Sequence, residues 1–544
     1  MEERSPLSFP AFRSIWTANL ASNFGSMVQL VGASWLMAAS GAPPHMIALV
    51  QAFTSLPIVL VALPAGAIAD TSDKRRVMLW AQCFLFIVSA TLALLAWLGH
   101  ATPWLLLAFT FLIGCGTALN GPAWQASVGD LVPRPVLPNA VAYNAMSMNV
   151  ARSLGPALGG AIVALAGGAA AFLVNALSTI GLVVSLARWR PPHHHRALPP
   201  ERLGEAIGAG LRYAAMSPHL RIVLVRTALV GFAMSPLPAL MPLVARDLLH
   251  GGPLTYGILL GSFGVGAVGA ALSVKRIRQS MAPEAIVRLS TVLTAIGAAG
   301  AALCRIPWLL CPLVTLAGAG WVMAFATMNV TVQLSSPRWV TARSLAIYQV
   351  AVYAGMAAGS WTFGLLAGPL GVGHALGFSA LLNGALLALA LFLPLADFHN
   401  QDLDPSGAWQ VPQTAVPIRM RSGPVAISIE YRIREAHVAA FLAVMSERRR
   451  IRVRDGALGW TLLRDLADPE LWMERYRVPT WLDYVRHNSR RTKADEANSA
   501  ALRALWAEGG EPVVRRMIER PAGSLQFEGD DEPEAQPTRP TGPY

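Results

Sequence analysis

The side chains that could do chemistry in this sequence are charged groups set at the ends of, or inside, long apolar runs. Gly66, Asp70, Lys74, Arg75 and Arg76 stand between two such runs. Gly66 lets two helix backbones approach closely, Asp70 can accept hydrogen bonds at the end of a neighbouring helix, and the cations hold the connection on one side of a bilayer. Together they have the chemistry of a connection that can latch onto the end of a neighbouring helix. A positive-inside anchor alone explains Lys74 to Arg76 but not a carboxylate at a helix end. Arg152 lies well inside another apolar run, followed by Gly155, Pro156, Gly159 and Gly160. An unpaired Arg at that depth costs about 2.5–3.5 kcal/mol. It must face a cavity holding an anion, or bond carbonyls freed at the kink by Pro156.

Carboxylates are placed differently. Asp70, Asp130, Asp247 and Glu284 all fall near the ends of apolar runs and none lies deep. A lipophilic cation would find no counter-charge at mid-depth, so the expected cargo is neutral or anionic, with Arg152 supplying charge. Asn19, Asn23, Asn144, Asn149, Tyr348 and Gln349 are candidates for the wall of a cavity, each equally explained as a hydrogen bond between helices. Cys83, Cys115, Cys304 and Cys311 show no metal-ligand spacing. His193 to His195 read as a solvated linker. No phosphate-cradling Gly-rich loop with Lys-Ser/Thr occurs, so ATP is not the expected energy source. No cofactor, metal centre or nucleophile motif is expected, and the chain does not read as an enzyme.

These residues need a membrane to position them. The chain has 544 residues, 54% hydrophobic and only 14% charged, with mean hydropathy +0.46, against roughly a quarter charged in soluble domains. A helix needs about 20 apolar residues to cross the hydrocarbon. Spans are expected near 12–38, 47–69, 77–98, 104–123, 140–166, 169–187, 220–244, 256–274, 285–304, 308–333, 342–367 and 374–395. An inside N-terminus puts Lys74, Arg75, Arg76, Arg134, Arg188, Arg190, Arg196, Arg202, Arg212, Lys275, Arg276, Arg278 and Arg338 on the cytoplasmic side and leaves Arg246 and Arg305 outside. Both termini are then cytoplasmic. The net charge of +12 belongs to the membrane part, since residues 401–544 are balanced in charge. It reports loop topology and excludes a nucleic-acid partner.

The polar break at 191–219 divides the spans six and six, a half at 1–190 and another at 220–396. Gly266 to Arg276 echoes the 66–76 stretch without its Asp, and the glycine-rich eleventh span echoes the fifth. The fold class expected is therefore an all-α membrane protein of twelve transmembrane helices in two six-helix pseudo-repeats, followed by a C-terminal α+β module.

The 66–76 stretch resembles the loop joining the second and third membrane helices of the major facilitator superfamily, with Asp73 where many members carry Gly. Ala151 to Gly160 resembles the fifth-helix motif of exporters in that superfamily, with Ala151 in place of its leading Gly. Leu131-Val132-Pro133-Arg134, Leu137-Pro138-Asn139-Ala140, Phe172 to Ala176, Phe12-Arg13, Ser34 to Met37, Arg343 to Gln349 and Gly359-Ser360 resemble the enterobactin-exporter branch, also called transmembrane secretion effectors. The resemblance covers about residues 5–400. It implies an alternating-access exporter of small organic molecules, siderophore- or drug-like, in the bacterial inner membrane, coupled to protons. It also implies that the fifth-helix surface closes the cytoplasm-side route against leak.

A Pro- and polar-rich linker at 397–423 leads to a second module at 424–522, and the Asp-, Glu- and Pro-rich segment 523–544 reads as disordered. Val425 to Tyr431 alternates as a strand should. A helix at 435–450, strands at 457–465 and 471–478, helices at 480–488 and 494–507 and a strand at 512–519 give the order βαββαβ of a ferredoxin-like domain. The module resembles antibiotic-biosynthesis monooxygenases in its second strand pair and in Trp481, Tyr484 and His487. That resemblance implies dimerisation through the sheet and Trp460, Trp481 and His487 as candidate ligand-binding residues, in a binding or dimerising module more than an enzyme.

Overall fold

Proline at a first helical position loses no hydrogen bond that the helix could have made, and this chain uses that rule repeatedly. In the computed structural model Pro10, Pro103, Pro253 and Pro283 each open a long helix. The structure describes residues 5–71, 73–133, 136–190, 203–337, 339–395, 409, 411–506 and 512–519. His193 to His195, Arg134, Arg338 and the segment 523–544 lie outside the described residues.

The chain divides into two compact units: Met1–Glu205, Arg221–Gln333 and Arg343–Asp397 in the first, and Ala206–Leu220, Leu334–Ala342 and Phe398–Tyr544 in the second. The first unit is helical. Its elements are α1 (Pro10–Ala39), α2 (Pro44–Thr71), α3 (Lys74–Trp97), α4 (Pro103–Leu131) and α5 (Leu137–Arg188). After α6 (Leu203–Met216) come α7 (Pro218–Met234), α8 (Pro236–Leu243), α9 (Pro253–Ser280), α10 (Pro283–Leu303), α11 (Pro307–Leu334), α12 (Thr341–Leu370) and α13 (Val372–Phe392).

Ten segments among the described residues are long and apolar enough to span a bilayer. Helix α1 has the length, at 30 residues, but carries Asn19, Ser22, Asn23, Ser26 and Gln29 and reads as too polar on hydropathy alone. Helix α5 is two helices in series, because Gly167 takes a left-handed φ of 79° that breaks the helical path. Trp97, Trp104 and Trp308 are exposed and sit at helix termini, as interfacial aromatic anchors do.

The buried cores show where the two halves of this unit meet. One cluster joins Val31, Met37, Ile47, Leu106 and Phe172 of the first half to Leu240, Tyr256, Leu310, Phe363 and Leu376 of the second. Val31, Met37 and Phe363 come late in their helices and Ile47, Leu106, Tyr256, Leu310 and Leu376 early, as successive antiparallel helices do where they meet at one end of a bundle. At the opposite end the clusters are separate: Phe12, Ile15, Trp16, Met78, Trp124 and Leu182 belong to the first half, and Ala270, Ile286 and Met323 to the second. Among the described residues the halves thus share a buried core at one end, and at the other end each has a core of its own.

The second unit contains a four-stranded antiparallel sheet of β1 (Val425–Arg432), β2 (Leu458–Arg464), β3 (Leu471–Val478) and β4 (Val513–Ile518), in the order β2-β3-β1-β4. Helices α14 (Val438–Arg454), α15 (Trp481–Ser489) and α16 (Lys493–Ala504) complete it. Val425, Ile427, Ile429 and Tyr431 of β1 pack with Phe441, Met445, Trp472, Tyr476 and Trp481, which is why β1 alternates in sequence. Thr492 and Asp495 form a reciprocal capping box that starts α16.

Two short stretches outside 397–544 also belong to this unit. The Tyr213 hydroxyl donates to the Ser335 carbonyl at 3.1 Å, and Arg450 donates to the Met216 carbonyl at 2.8 Å. The Arg454 guanidinium lies 5.6 Å from the Tyr213 ring centroid and that of Arg490 4.2 Å from Trp339. Contacts between residues so far apart in sequence leave no local pattern to read.

Candidate functional site

Helices α5 and α9 approach each other closely across the two halves of the first unit, because small residues face each other there. A Cβ on Gly160 would lie 2.7 Å from the Pro253 carbonyl oxygen, and one on Gly257 would lie 2.8 Å from that of Pro156. A Cβ on Gly264 would meet the Arg152 carbonyl at 2.5 Å and Ser153 Cα at 2.6 Å. Only glycine admits backbones this close. The Ser153 hydroxyl adds a hydrogen bond to the Gly264 carbonyl at 2.9 Å. Gly155 and Gly159 face α1 instead, where a Cβ would meet Met27 at 2.5 Å and Val28 at 3.0 Å. The motif therefore serves two helices at once, and its partner stripe on α9, Gly257 and Gly264, carried no functional expectation from sequence.

Arg152 stands at the end of this seam, where the shared core gives way to separate ones. Its side chain is half-buried, lies close enough to Tyr353 to interact electrostatically, and has no hydrogen bond or ion pair among the described residues. Other polar candidates nearby are partly engaged between helices. Asn23 donates to the Ser147 hydroxyl at 3.2 Å, Asn144 accepts from the Trp124 indole at 2.9 Å, and Tyr348 donates to the Phe325 carbonyl at 2.7 Å. Asn19 is buried and Gln349 half-buried. Asn149 lies in α5, with its side chain outside the description.

The basic cluster at the start of α3 reaches the ends of two helices. Lys74 pairs with Asp130 at 2.9 Å, at the end of α4. Arg75 donates to the Leu186 carbonyl at 3.0 Å and to that of Ala187 at 2.5 Å, satisfying acceptors at the end of α5. Asp73 caps α3 by accepting from the Arg75 N–H at 2.9 Å. The exposed Arg76 stays 3.7 Å from Asp73. Gly66 and Asp70 lie in the last turns of α2, with side chains outside the description. The second half has a comparable knot, in which Glu284 accepts from Arg226, from Arg288 at 3.1 Å and from the Leu395 N–H at 2.9 Å. Arg226 also donates to the Leu393 carbonyl at 3.1 Å.

In the second unit, Trp460 and His487 belong to one network and Trp481 to another. The Trp460 indole donates to Glu474 at 3.0 Å. His487 is buried, with Nε2 3.0 Å from Arg452 Nη1 and Nδ1 3.3 Å from the Asp455 carbonyl. Burial and the neighbouring arginines hold its pKa well below the usual value. The ring is therefore neutral, with Nε2 accepting from Arg452 and Nδ1–H pointing to the carbonyl. Trp481 stacks on Tyr484 with centroids 5.1 Å apart. Arg452 and Glu474, the centre of the network, were not singled out from sequence. The available signal was a Glu on the apolar-facing side of β3, opposite Ile429, with Arg448 and Arg452 one helical turn apart.

The sequence pattern of the transmembrane secretion effectors matches residues 2–522. The chain belongs to that family. Among relatives of this secretion effector, the staphyloferrin A transporter of Staphylococcus aureus is 23% identical over 279 residues, 51% of this chain and 70% of the relative. The multidrug efflux pump Tap of Mycobacterium tuberculosis is 27% identical over 403 residues, 70% of this chain and 90% of the pump. The structure of a bacterial homologue of the human lysosomal transporter Spinster, inward-facing and unoccupied, superposes with a TM-score of 0.53 at 15% identity, covering 70% of this chain and 94% of the homologue. The secretion effector is thus a multi-pass membrane transporter of the facilitator fold, and its family and relatives are transporters, not enzymes.

Proposed function

We propose that this chain exports small neutral or anionic organic molecules from a bacterial cytoplasm by alternating access, driven by an ion gradient, with protons as the coupling ion. The observation that carries the reading is the parting of the two halves at one end with Arg152 at the inner limit of the seam. Counting α1, and α5 as two helices broken at Gly167, gives twelve spans, with 1–190 and 220–396 as the halves. The basic loops favour an orientation with the open end and both termini in the cytoplasm. The cavity is then open inwards, and Asn19, Asn23, Asn144, Asn149, Tyr348 and Gln349 stand with Arg152 as its proposed wall. On this orientation the α5–α9 seam closes the outer route, not the cytoplasm-side route that the fifth-helix resemblance implies.

In the proposed latch of Gly66, Asp70, Lys74, Arg75 and Arg76, Lys74 and Arg75 hold the ends of α4 and α5, which supports a role in steadying this inward-open arrangement. Relatives named for staphyloferrin A transport and multidrug efflux support a small organic cargo, and the half-buried Arg152 without an ion pair favours one that is not cationic. A facilitator is the second reading, favoured by carboxylates that stand at helix ends.

The strand order β2-β3-β1-β4 with βαββαβ succession supports a ferredoxin-like domain for 424–522, reached through the linker 397–423. Leu463, Val513 and Met517, exposed on its strands, support dimerisation through the sheet. Cells expressing the chain and preloaded with staphyloferrin A should release it faster than cells carrying Arg152→Ala, and equal release would overturn the reading.

A further inference from the structure

The second unit has a pocket of about 190 Å³, partly open to solvent, lined by Trp409, Arg448, Arg452, Arg491, Asn498 and Ser499, with Asp455 and further residues of α14 and α16. It is smaller than the ~300–1,000 Å³ clefts that take drug-sized ligands. Counting Arg448, Arg452, Arg454 and Arg491 against Glu474, Asp455 and Asp495, the wall and its pairing partners carry one positive charge in excess. Glu474 is fully buried and saturated: it accepts from Arg448 at 2.8 Å, Arg452 at 3.1 Å, Trp460 at 3.0 Å and Tyr431 at 2.6 Å. One carboxylate thus faces two guanidinium groups. Asp455 and Asp495 are both taken by Arg454, at 2.9 and 2.8 Å. Glu496 is exposed to solvent at the rim.

Two buried polar atoms on this wall lack partners among the described residues, and a half-buried guanidinium stands beside them. Arg452 is 3% exposed, and its Nη2 has no hydrogen-bond partner among the described residues. The Arg491 side chain has no hydrogen bond or ion pair among them, and burial beside Arg452 and Arg448 lowers its pKa to about 10. Asn498 donates through Nδ2 to the Val444 carbonyl at 3.0 Å, which fixes the amide orientation, and its buried Oδ1 accepts nothing. Buried polar groups are normally hydrogen-bonded, and unpaired charges are costly. His487 cannot supply an anion, because it is held neutral as the acceptor for Arg452 Nη1.

We propose that this cavity is a binding site for a small hydroxycarboxylic acid. The carboxylate would take the open donors of Arg452 and Arg491, in the planar pairing that guanidinium groups favour. The hydroxyl would donate to Asn498 Oδ1, and Trp409 would cover the apolar body. The inference deepens the reading of the second unit as a binding module and does not depend on export.

Salicylate, benzoate and salicyl alcohol, titrated calorimetrically into the purified full chain, test it. Salicylate is expected to bind saturably, benzoate about tenfold more weakly for want of the hydroxyl, as one lost hydrogen bond of ~1.4 kcal/mol predicts, and salicyl alcohol not at all. Arg491→Gln should abolish salicylate binding. Arg477→Gln, at an exposed position on β3 of the same unit, should leave it unchanged. Equal binding of all three probes, loss of salicylate in Arg477→Gln, or no saturable binding by the wild type would overturn the proposal. The comparison of probes needs no variant, so it stands even if Arg491→Gln fails to fold.

Discussion

Ser153 and Gly264 are joined across the two halves of the membrane unit by a hydrogen bond of 2.9 Å from hydroxyl to carbonyl. The bond is possible because glycine at 264 lets α9 rest against the backbone of Arg152 and Ser153. A side chain there would force the helices apart, where overpacking typically costs about 1–3 kcal/mol. Gly264→Val should therefore favour the outward-open state. Thiol labelling of a cysteine placed at Ala157, a seam position that already carries a Cβ, should rise in this background by about tenfold from outside intact cells, as a shift of ~1.4 kcal/mol predicts. Unchanged labelling would show that the seam does not hold the outer side closed.

The Lys74–Asp130 pair offers a test of the latch. Lys74→Asp and Asp130→Lys should each lower transport several-fold, and the double exchange should recover at least half of the loss, because opposite charges again face each other. The side chains are 27% and 13% exposed, so the coupling should be modest and weaken with salt. No recovery in the double exchange would mean that the two residues act separately.

The proposed role of Arg152 in setting the cargo charge can be tested directly. Arg152→Ala should lower export of an anionic probe such as staphyloferrin A by about tenfold or more, on the scale of one lost charge-assisted hydrogen bond, and leave any leak of ethidium unchanged. Robust ethidium export that survives the substitution would contradict a neutral or anionic cargo.

The second unit should lose stability in acid. The His487 pKa is depressed in the folded state, so between that value and the ordinary ~6.5 the unfolded chain binds a proton that the folded one does not. Stability is full above pH ~6.5 and falls as pH drops through that range. Glu474, held below the usual carboxylate range by Arg452 and Arg448, adds a second loss below pH ~4.3. Limited proteolysis of the C-terminal unit should accelerate from pH 7.5 to 5.5 in the wild type, and His487→Asn should flatten that dependence. The same slope in both proteins would remove His487 as its cause.

Sequence carried the membrane architecture because it is written locally. Apolar runs of spanning length, prolines at helix starts and Gly167-Gly168 between two runs each mark an element without reference to distant residues. The alternation of Val425, Ile427, Ile429 and Tyr431 similarly marks β1. The partners were not legible. Nothing near Lys74 points to Asp130, and nothing near Tyr213 points to Ser335 or Arg454, since these meetings arise only when the chain packs. Glu474 was masked by its place in a strand that otherwise reads as core, and the glycines of α9 by their resemblance to ordinary packing residues. The one departure of shape, α1, has a chemical origin: the asparagines and glutamine that lower its hydropathy are those that face other helices, as Gln29 does in accepting from Ser89 at 3.1 Å.

The most direct test of gradient-driven export is staphyloferrin A accumulation by inside-out vesicles carrying this protein, with an imposed proton gradient and after its collapse by an uncoupler. Accumulation above the outside concentration that disappears on collapse is the predicted result. Equilibration to equal concentrations on both sides, unaffected by the uncoupler, would contradict active export and leave a facilitator in which the latch and Arg152 serve conformation alone.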